Sequence, residues 1–429
     1  MSFRRGACPA LSAPMQTGDG LLVRLATAGE TLSPASVRAL CGAARRRGNG
    51  LVEITARGNF QIRGLTEESA AALAGDIAAM ALGLRDGVPV ETNPLAGLDT
   101  SATANAAPLA AALRRAIDAS DLRQRLAPKV SVVVDGGGTT PLANVAADIR
   151  LDAVSAAGWQ VSIGGDLQTA QRLGVCDTSA APQLVLDLLE QVSAHGLEAR
   201  GRDLDARPIS SLVGERSALR PLLRKTARVG SREHPASDEP IALTDGRFAL
   251  RIALPFGSIE AGELIAFLDR VGEIVELRFA PGRAAVLLCK SGTEALRLRD
   301  LADRAGLVIS ANDPRARIFA CPGTQGCASG LIPAREIARE VAGSLPDEVA
   351  SLHISGCAKG CAHPTTAALT VVGTGSGAEL VENGTARQNG EHIGKGDIAR
   401  RLASLMAART PGNAQGRTAR TFEQASAGD

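Results

Sequence analysis

One pattern constrains this chain more than any other: a single order of elements occurs twice. Residues 20–84 read as an apolar strand at Leu21-Leu22-Val23-Arg24-Leu25, a helix opening at Ser33-Pro34, two strands flanking Ala56-Arg57-Gly58, and a second helix from Thr66. Residues 247–309 repeat that order. Strand Leu250-Arg251-Ile252 precedes a helix expected to be capped by Ser258, then strands on either side of Pro281-Gly282-Arg283, then a helix from about Thr293 to Ala305. Arg24 matches Arg251 at an offset of 227 and Gly58 matches Gly282 at 224, so the second copy differs only by a shorter connection. A β-α-β-β-α half-unit used twice predicts a pseudo-twofold body.

Each copy is followed by a longer mixed segment, which gives an α+β organisation. The expected divisions are a first half-unit over 14–87, a mixed α/β domain over 88–195, a connecting segment over 196–246, a second half-unit over 247–309, a cysteine-bearing α/β domain over 310–405 and a disordered tail over 406–429. The first mixed domain holds the strand Val130-Ser131-Val132-Val133-Val134 and the loop Gly136-Gly137-Gly138; the second holds the strand Leu369-Thr370-Val371-Val372. The arginines of the connecting segment, such as Arg200 and Arg202, alternate with acids and read as a solvated stretch.

Charge and composition narrow the class of partner. Forty-seven basic against forty-five acidic residues leave a formal charge of +2, so no global field draws the chain to nucleic acid or to a membrane surface. Eight Phe, one Trp and no Tyr leave almost no platform for stacking bases. No apolar run of about 18 residues occurs, and Pro9 and Pro14 break the N-terminal stretch before a secretory core could form, so a soluble cytoplasmic protein is expected.

Four of the eight cysteines carry the chemistry. Cys321 and Cys327 are separated by five residues, and Cys357 and Cys361 by three, with twenty-nine between the pairs and glycines Gly323, Gly326, Gly356 and Gly360 beside them. Four thiolates on two Gly-bearing loops suit a [4Fe-4S] cluster, whose irons each take one sulfur, and small residues let backbone N–H groups approach the cluster sulfides. A structural zinc site is the competitor, although its pairs are commonly closer than the first spacing here; unligated thiols are a third reading. Cys41 and Cys289, in an Ala-rich helix and an apolar strand, are expected in the core, and Cys8 is undecided.

The frame Ala320-Cys321-Pro322-Gly323 … Cys327 with Ser355-Gly356-Cys357-Ala358-Lys359-Gly360-Cys361-Ala362-His363-Pro364 resembles the cluster motif of the sirohaem-dependent sulfite and nitrite reductases. Thr55-Ala56-Arg57-Gly58-Asn59-Phe60-Gln61 is similar to that family's T-x-R-x-x-x-Q segment, and Arg24 stands where the family has another arginine. The resemblance covers roughly residues 14–405 and implies a duplicated architecture of two ferredoxin-like half-units and two mixed α/β domains. Two features depart from the reductases. Val88-Pro89-Val90 replaces an R-N-x stretch before Pro94-Leu95-Ala96-Gly97, and Pro128-Lys129-Val130-Ser131 keeps one of three cations of an R-K-x-K segment. Sulfite chemistry, which needs that charge, becomes the lesser reading.

Arg5-Gly6-Ala7-Cys8-Pro9, Gly18-Asp19-Gly20 through Arg24, and Val134-Asp135-Gly136-Gly137-Gly138 resemble instead the precorrin-3B synthases, a branch of the same family that takes a tetrapyrrole as substrate. That resemblance implies a monooxygenase of cobalamin biosynthesis acting on precorrin-3A with O2, a [4Fe-4S] cluster, a mononuclear non-haem iron, and NADH as ultimate electron donor through a possible separate reductase. A carboxylate-rich substrate calls for arginines on rigid elements, and Arg24, Arg57, Arg63 and Lys129, with Gln61 as a neutral donor, are the candidates. Each also has a plainer reading as an exposed strand charge, and Arg278 and Arg283 stand evenly between the two. Cys361 occupies the position that bridges to haem iron in the reductases. No two-histidine, one-carboxylate pattern is evident among His195, His234, His353, His363 and His392, so the sequence does not place the mononuclear iron. Gly373-Thr374-Gly375-Ser376-Gly377 is expected to be a turn, since Ala378 breaks the phosphate-loop pattern. The alternatives kept are a sirohaem-dependent reductase and a non-catalytic iron-sulfur electron carrier.

Overall fold

A computed structural model of the chain describes residues 9–27, 31–204, 239–272, 275–310, 312–363, 365–396 and 398–407. Most of the arginine-rich connection and the tail lie outside these residues, as do Cys8 and His234. Two compact units divide the chain between Asn312 and Asp313.

The first unit begins with β1 (Met15–Thr17), β2 (Gly20–Leu25), β3 (Thr31–Leu32), α1 (Pro34–Arg47), β4 (Leu51–Ile54), β5 (Phe60–Leu65) and α2 (Glu67–Ala79). Ser33 caps α1 by accepting from the Ser36 N–H, with Pro34 in the first turn, and Thr66 and Ser69 form a reciprocal capping box at α2. The mixed domain follows with β6 (Val90–Thr92), α3 (Ala106–Asp118), α4 (Leu122–Arg125), β7 (Val132–Asp135), β8 (Ala147–Ala153), β9 (Gly158–Gly165), β10 (Gln171–Asp177) and α5 (Ala181–Ala194), forming a sheet of order β10-β9-β8-β7-β6.

The second half-unit comprises β11 (Ile241–Ala242), β12 (Phe248–Ala253), β13 (Ser258–Glu260), α6 (Ala261–Val271), β14 (Glu276–Ala280), β15 (Ala284–Cys289) and α7 (Gly292–Arg304). Here Ser258 is not the helix cap expected from the sequence. It opens β13, and the helix begins after Glu260 without a side-chain cap. The reason lies in the duplication. Each half lends a short strand to the other's sheet, so the orders are β1-β2-β5-β4-β13 and β11-β12-β15-β14-β3. Ser258 pairs with Glu53 across one seam, and Thr31 pairs with Arg278 across the other.

The helices of both halves close on one shared core that includes Val23, Val37, Phe60, Ile62, Leu73, Leu264, Phe267, Leu277, Leu287 and Leu298. The turns of the two copies meet there. Phe60 stacks on Phe279 with centroids 5.4 Å apart, and the Gly282 N–H donates to the Ala56 carbonyl at 3.0 Å. Gly58 (φ +80°) approaches Ala280 so closely that a Cβ would lie 2.8 Å from its carbonyl carbon, which only glycine permits. Strand alternation then leaves Arg24, Glu53, Gln61 and Arg63 on the sheet face turned away from that core.

The second unit contains β16 (Ile318–Ala320), α8 (Ala334–Ala342), β17 (Leu352–Ser355), β18 (Ala367–Thr374), β19 (Gly377–Gly384), β20 (Glu391–Gly394) and α9 (Ile398–Ala407) in one sheet of order β16-β17-β18-β19-β20. Strands β16, β17 and β18 run parallel, so the loops after β16 and β17 leave the same edge of the sheet. Within 373–377, Gly375 and Ser376 form the two-residue turn of the hairpin, while Gly373, Thr374 and Gly377 are paired residues of β18 and β19.

Candidate functional site

Two places in the chain hold the residues that the sequence singles out. The first is the outer face of the first sheet. Arg24 on β2 stands opposite Gln61 on β5, which stands opposite Glu53 on β4, which stands opposite Ser258 on β13. Arg24 Nε donates to Gln61 Oε1 at 2.8 Å, and Gln61 Nε2 donates to Glu53 Oε2 at 2.6 Å. The glutamine is thereby oriented: its carbonyl serves the arginine and its amide serves the acid.

Arg63, one pleat along the same face, is fully engaged. Its Nε and Nη2 take both oxygens of Asp19 at 2.9 Å, and its Nη1 takes both oxygens of Glu53 at 3.2 Å. Burial would lower this guanidinium's pKa, but the two carboxylates raise it overall. Burial would likewise raise Asp19, yet the bonds from Arg63 hold it below the usual carboxylate range. Asp19 and Glu53 are the members of this layer that the sequence reading omitted. The signal was available: Glu53 is the one charged residue in an otherwise apolar strand, Leu51–Ile54.

Arg57 sits in the turn after β4, whose shape is set by Thr55 Oγ1 accepting from the Asn59 and Arg57 N–H groups. Its Nη1 lies 3.0 Å from both oxygens of Glu91 and 3.3 Å from Ser131 Oγ, and its Nη2 donates to the Ala146 carbonyl. The arginine thus ties the half-unit to the mixed domain. Glu91 is buried, which raises its pKa, while Arg57 pulls it back. Lys129 is exposed in the loop before β7, which begins two residues later than the expected Val130 and so does not place the lysine at its end, and its side chain makes no hydrogen bond or ion pair among the described residues. Val88 and Pro89, where the resemblance places a missing arginine, line a cleft of about 350 Å3 with Asn59, Arg85, Glu91 and Arg114. The Gly136–Gly138 loop is a strand-end turn, held by Asp135 accepting from Gly137 N and Leu142 N.

The second place is the pair of loops after β16 and β17. Cys321 follows β16, a short 3-10 turn Gly323–Gln325 leads to Cys327, and Cys357 and Cys361 follow β17. The Gly356 N–H donates to Cys321 Sγ at 3.0 Å, so the second loop already binds the first loop's sulfur. Burial raises the Cys321 thiol; the Gly356 and Gly323 N–H groups oppose this, and the nearby Cys357 and Cys327 raise it further. Three of the four sulfurs therefore share one electrostatic neighbourhood, and Cys361 is exposed. The glycines are packed to their limit. A Cβ on Gly356 would lie 3.2 Å from Cys321 Sγ, and one on Gly330 would lie 2.4 Å from the Gly323 backbone. Small residues here form a cradle around thiolates, which is the donor set and lining that an iron-sulfur cluster takes.

Among the described residues no three His, Cys, Asp or Glu side chains gather as ligands of one metal ion. This observation leaves the mononuclear iron without a ligand set. His195 Nδ1 lies 2.8 Å from the Gln191 carbonyl, His353 is buried on β17, and His363 stacks on Phe319 at 4.3 Å. Cys41 and Cys289 lie in the core, where burial pushes each thiol up to about 12.

Comparison with known proteins agrees with this reading of the parts. The family described as nitrite/sulfite reductase ferredoxin-like half domain matches residues 13–80. The solved structure of the Mycobacterium tuberculosis NirA protein superposes with a TM-score of 0.67 at 19% identity, over 93% of this chain and 82% of that one. It shares the fold. A curated protein of Sinorhizobium sp, named precorrin-3B synthase, is 39% identical over 420 residues, 94% of this chain and 89% of its own length. The chain belongs to the precorrin-3B synthases, oxidoreductases built on the duplicated fold of the sulfite and nitrite reductases.

Proposed function

We propose that this chain converts precorrin-3A to precorrin-3B in cobalamin biosynthesis, an O2-dependent hydroxylation at the meso carbon between rings A and D with closure of a γ-lactone by the ring A acetate. The observation that carries the reading is the 39% identity to the Sinorhizobium synthase, which extends over 94% of the chain and so takes in both the sheet face of Arg24 and the two thiol loops. NADH is the proposed ultimate reductant, delivered through a separate reductase, and the compartment is the cytoplasm. No helix among the described residues is long and apolar enough to cross a membrane.

Cys321, Cys327, Cys357 and Cys361 would hold one [4Fe-4S] cluster. Bound there, the cluster supplies electrons one at a time, which activation of O2 requires. The protein's own contribution at this place is to fix the sulfurs. Gly356 N–H stabilises negative charge on Cys321, and the close-packed glycines bring backbone donors near without side chains between. A mononuclear iron belongs to the family resemblance, and no three candidate ligands for it gather among the described residues.

Arg24, Arg57, Gln61, Arg63 and Lys129 form the proposed substrate-binding set, with different tasks. Arg24 and Gln61 lie on a pre-formed sheet face, where a bidentate guanidinium grips a carboxylate arm at little reorganisation cost. Arg63, braced by Asp19 and Glu53, holds the row in place. Arg57 orients the turn against Glu91, and Lys129 reaches from an exposed loop. Gln61 and Arg63 are both under a tenth exposed, so charges placed against them meet little water and interact more strongly.

The test is turnover. Protein purified without oxygen is incubated with precorrin-3A, isotopically labelled O2 and a competent electron donor, and the product is examined by mass for one labelled oxygen and a lactone. Fully iron-loaded protein that incorporates no oxygen defeats the assignment. A sharp sirohaem Soret band in the purified protein would instead favour the reductase alternative.

A further inference from the structure

The duplication sets matching rows of residues on the two exchanged sheets, and the two rows differ in chemistry. In the first half-unit Arg24, Gln61, Glu53 and Ser258 stand opposite one another across β2, β5, β4 and β13. In the second, Arg251, Val286, Arg278 and Thr31 do so across β12, β15, β14 and β3. Residues directly opposite in such a row share one face of their sheet. The first row therefore holds one cation, one carboxylate and the amide between them. The second holds two cations and no carboxylate, and a valine stands where the glutamine carbonyl serves the arginine of the first.

Arg251 consequently has surroundings unlike those of its counterpart. Arg24 Nε donates to Gln61 Oε1, whereas Arg251 makes no hydrogen bond or ion pair among the described residues. Ala249 and Ala253, two positions to either side of it on β12, belong with Val286 and Leu95 to an apolar cluster that offers it no side-chain acceptor. Burial lowers the pKa of its guanidinium, and no neighbouring acid opposes the shift. The position of that guanidinium is defined: Nη2 lies at the turn between β14 and β15, where a Cβ on Gly282 would stand 3.0 Å from it. Part of the side chain still meets solvent, so an anion can reach it. Arg278, farther along the row, is aligned by donating to Thr31 Oγ1 at 3.0 Å and to the Pro94 carbonyl at 2.8 Å. A half-buried cation with no counter-charge is unfavourable by itself and favours any anion that fits beside it.

We propose that Arg251 forms an anion site belonging to the second half-unit, which takes a carboxylate beside the Gly282 turn. The ligand's planar pair of oxygens supplies the acceptor that Gln61 supplies to Arg24 in the first copy, and a guanidinium fork matches that geometry. Glycine at position 282 keeps the space in front of the fork open. A carboxylate can come from two sources, an arm of an acidic tetrapyrrole or a free small acid. The site itself does not depend on the tetrapyrrole reading above.

The test uses the full chain, purified without oxygen, as wild type, R251M and R251K. One probe is malonate, read as the melting temperature against chloride at equal ionic strength. The other is uroporphyrin III, a stable macrocycle with carboxylates on every ring, read by quenching of its fluorescence. In chloride R251M should melt at or above wild type, because it removes a desolvated charge that has no partner. With a free acid as the ligand, malonate raises the melting temperature of wild type and not of R251M, and R251K keeps part of the rise. With a macrocycle arm as the ligand, R251M instead binds uroporphyrin III about tenfold more weakly than wild type. Wild type and R251M that respond alike to both probes overturn the inference, and so does an R251M that melts below wild type in chloride without any difference in response, since Arg251 is then a structural residue. Wild type that binds no porphyrin but is stabilised by malonate through Arg251 removes the tetrapyrrole reading and leaves this site standing.

Discussion

Replacing Gly356 by alanine puts one methyl group against the thiol cradle and nothing else. Gly356 is not in the left-handed region, so alanine is tolerated by the backbone and the effect is one of space. The added Cβ would stand 3.0 Å from Gly323 Cα, 3.2 Å from Cys321 Sγ and 3.4 Å from Gly330 Cα. Gly323 has no room to yield, because its own Cβ position lies 2.4 Å from Ala334 N and Ile332 O. The sulfur must therefore move by a few tenths of an ångström, lengthening the 3.0 Å bond from Gly356 N–H. Overpacking of this kind costs about 1–3 kcal/mol, and weakening the N–H to sulfur bond adds no more than about 1 kcal/mol. At about 1.4 kcal/mol per factor of ten, retention of the cluster during a chelator challenge should fall roughly tenfold or more. The assay is iron and acid-labile sulfide per chain after anaerobic reconstitution and timed exposure to chelator. Gly262→Ala, where nothing lies within 4 Å of the new methyl, is the control and should keep wild-type loading. If Gly356→Ala loads and retains iron as wild type does, the cradle does not act on the sulfur as argued.

Four further outcomes are expected. Gly58→Ala should destabilise urea unfolding by about 2–4 kcal/mol, because it combines a left-handed φ with backbone contact at Ala280, whereas Gly282→Ala meets only the movable end of Arg251 and should cost about 1 kcal/mol. Arg57→Ala leaves buried Glu91 without its cation and should cost about 2–3 kcal/mol, part of which Glu91→Gln restores when the two are combined; a double variant no more stable than Arg57→Ala would refute the pairing. Because Arg63 depresses Asp19, the pair stabilises the fold above the usual carboxylate pKa and loses that contribution as pH falls through the lowered value. Asp19→Asn should therefore be less stable than wild type near neutral pH, and the difference should shrink as pH falls through the lowered value, as read by urea unfolding across the acid range. In metal-stripped native protein, iodoacetamide at mildly alkaline pH should label exposed Cys361 and spare Cys41 and Cys289, which mass mapping checks.

The duplication was legible because its cues are local: helix caps at Ser33 and Thr66, alternation in Leu21–Leu25, and glycines at 58 and 282 where the two turns meet. Ser258 misled for a physical reason. A serine before a helical stretch looks like a cap, but the sheet of the other half claimed it as an edge residue, a long-range pairing that no local signal announces. The candidate cations were visible as residue types, and their partners were not. Arg63 and Arg57 read the same as Arg24 in sequence, yet the first is held by Asp19 and Glu53 and the second by Glu91, all brought in by pairing or packing. Lys129 was expected at the start of a strand over Val130–Val134, whereas the strand starts only at Val132 and leaves the lysine in the preceding loop. Arg283 was ambiguous for the opposite reason: its strained φ and its seat over Gly257 exist only in three dimensions.

The measurement that bears most directly on the account is the metal content of protein kept free of air, wild type against Cys321→Ser, with electron paramagnetic resonance of the reduced sample. About four iron and four sulfide per chain, with the signal of one reduced cubane that Cys321→Ser abolishes, is the predicted result. A single zinc per chain, or no metal at all, with the four sulfurs free to alkylation, would contradict it.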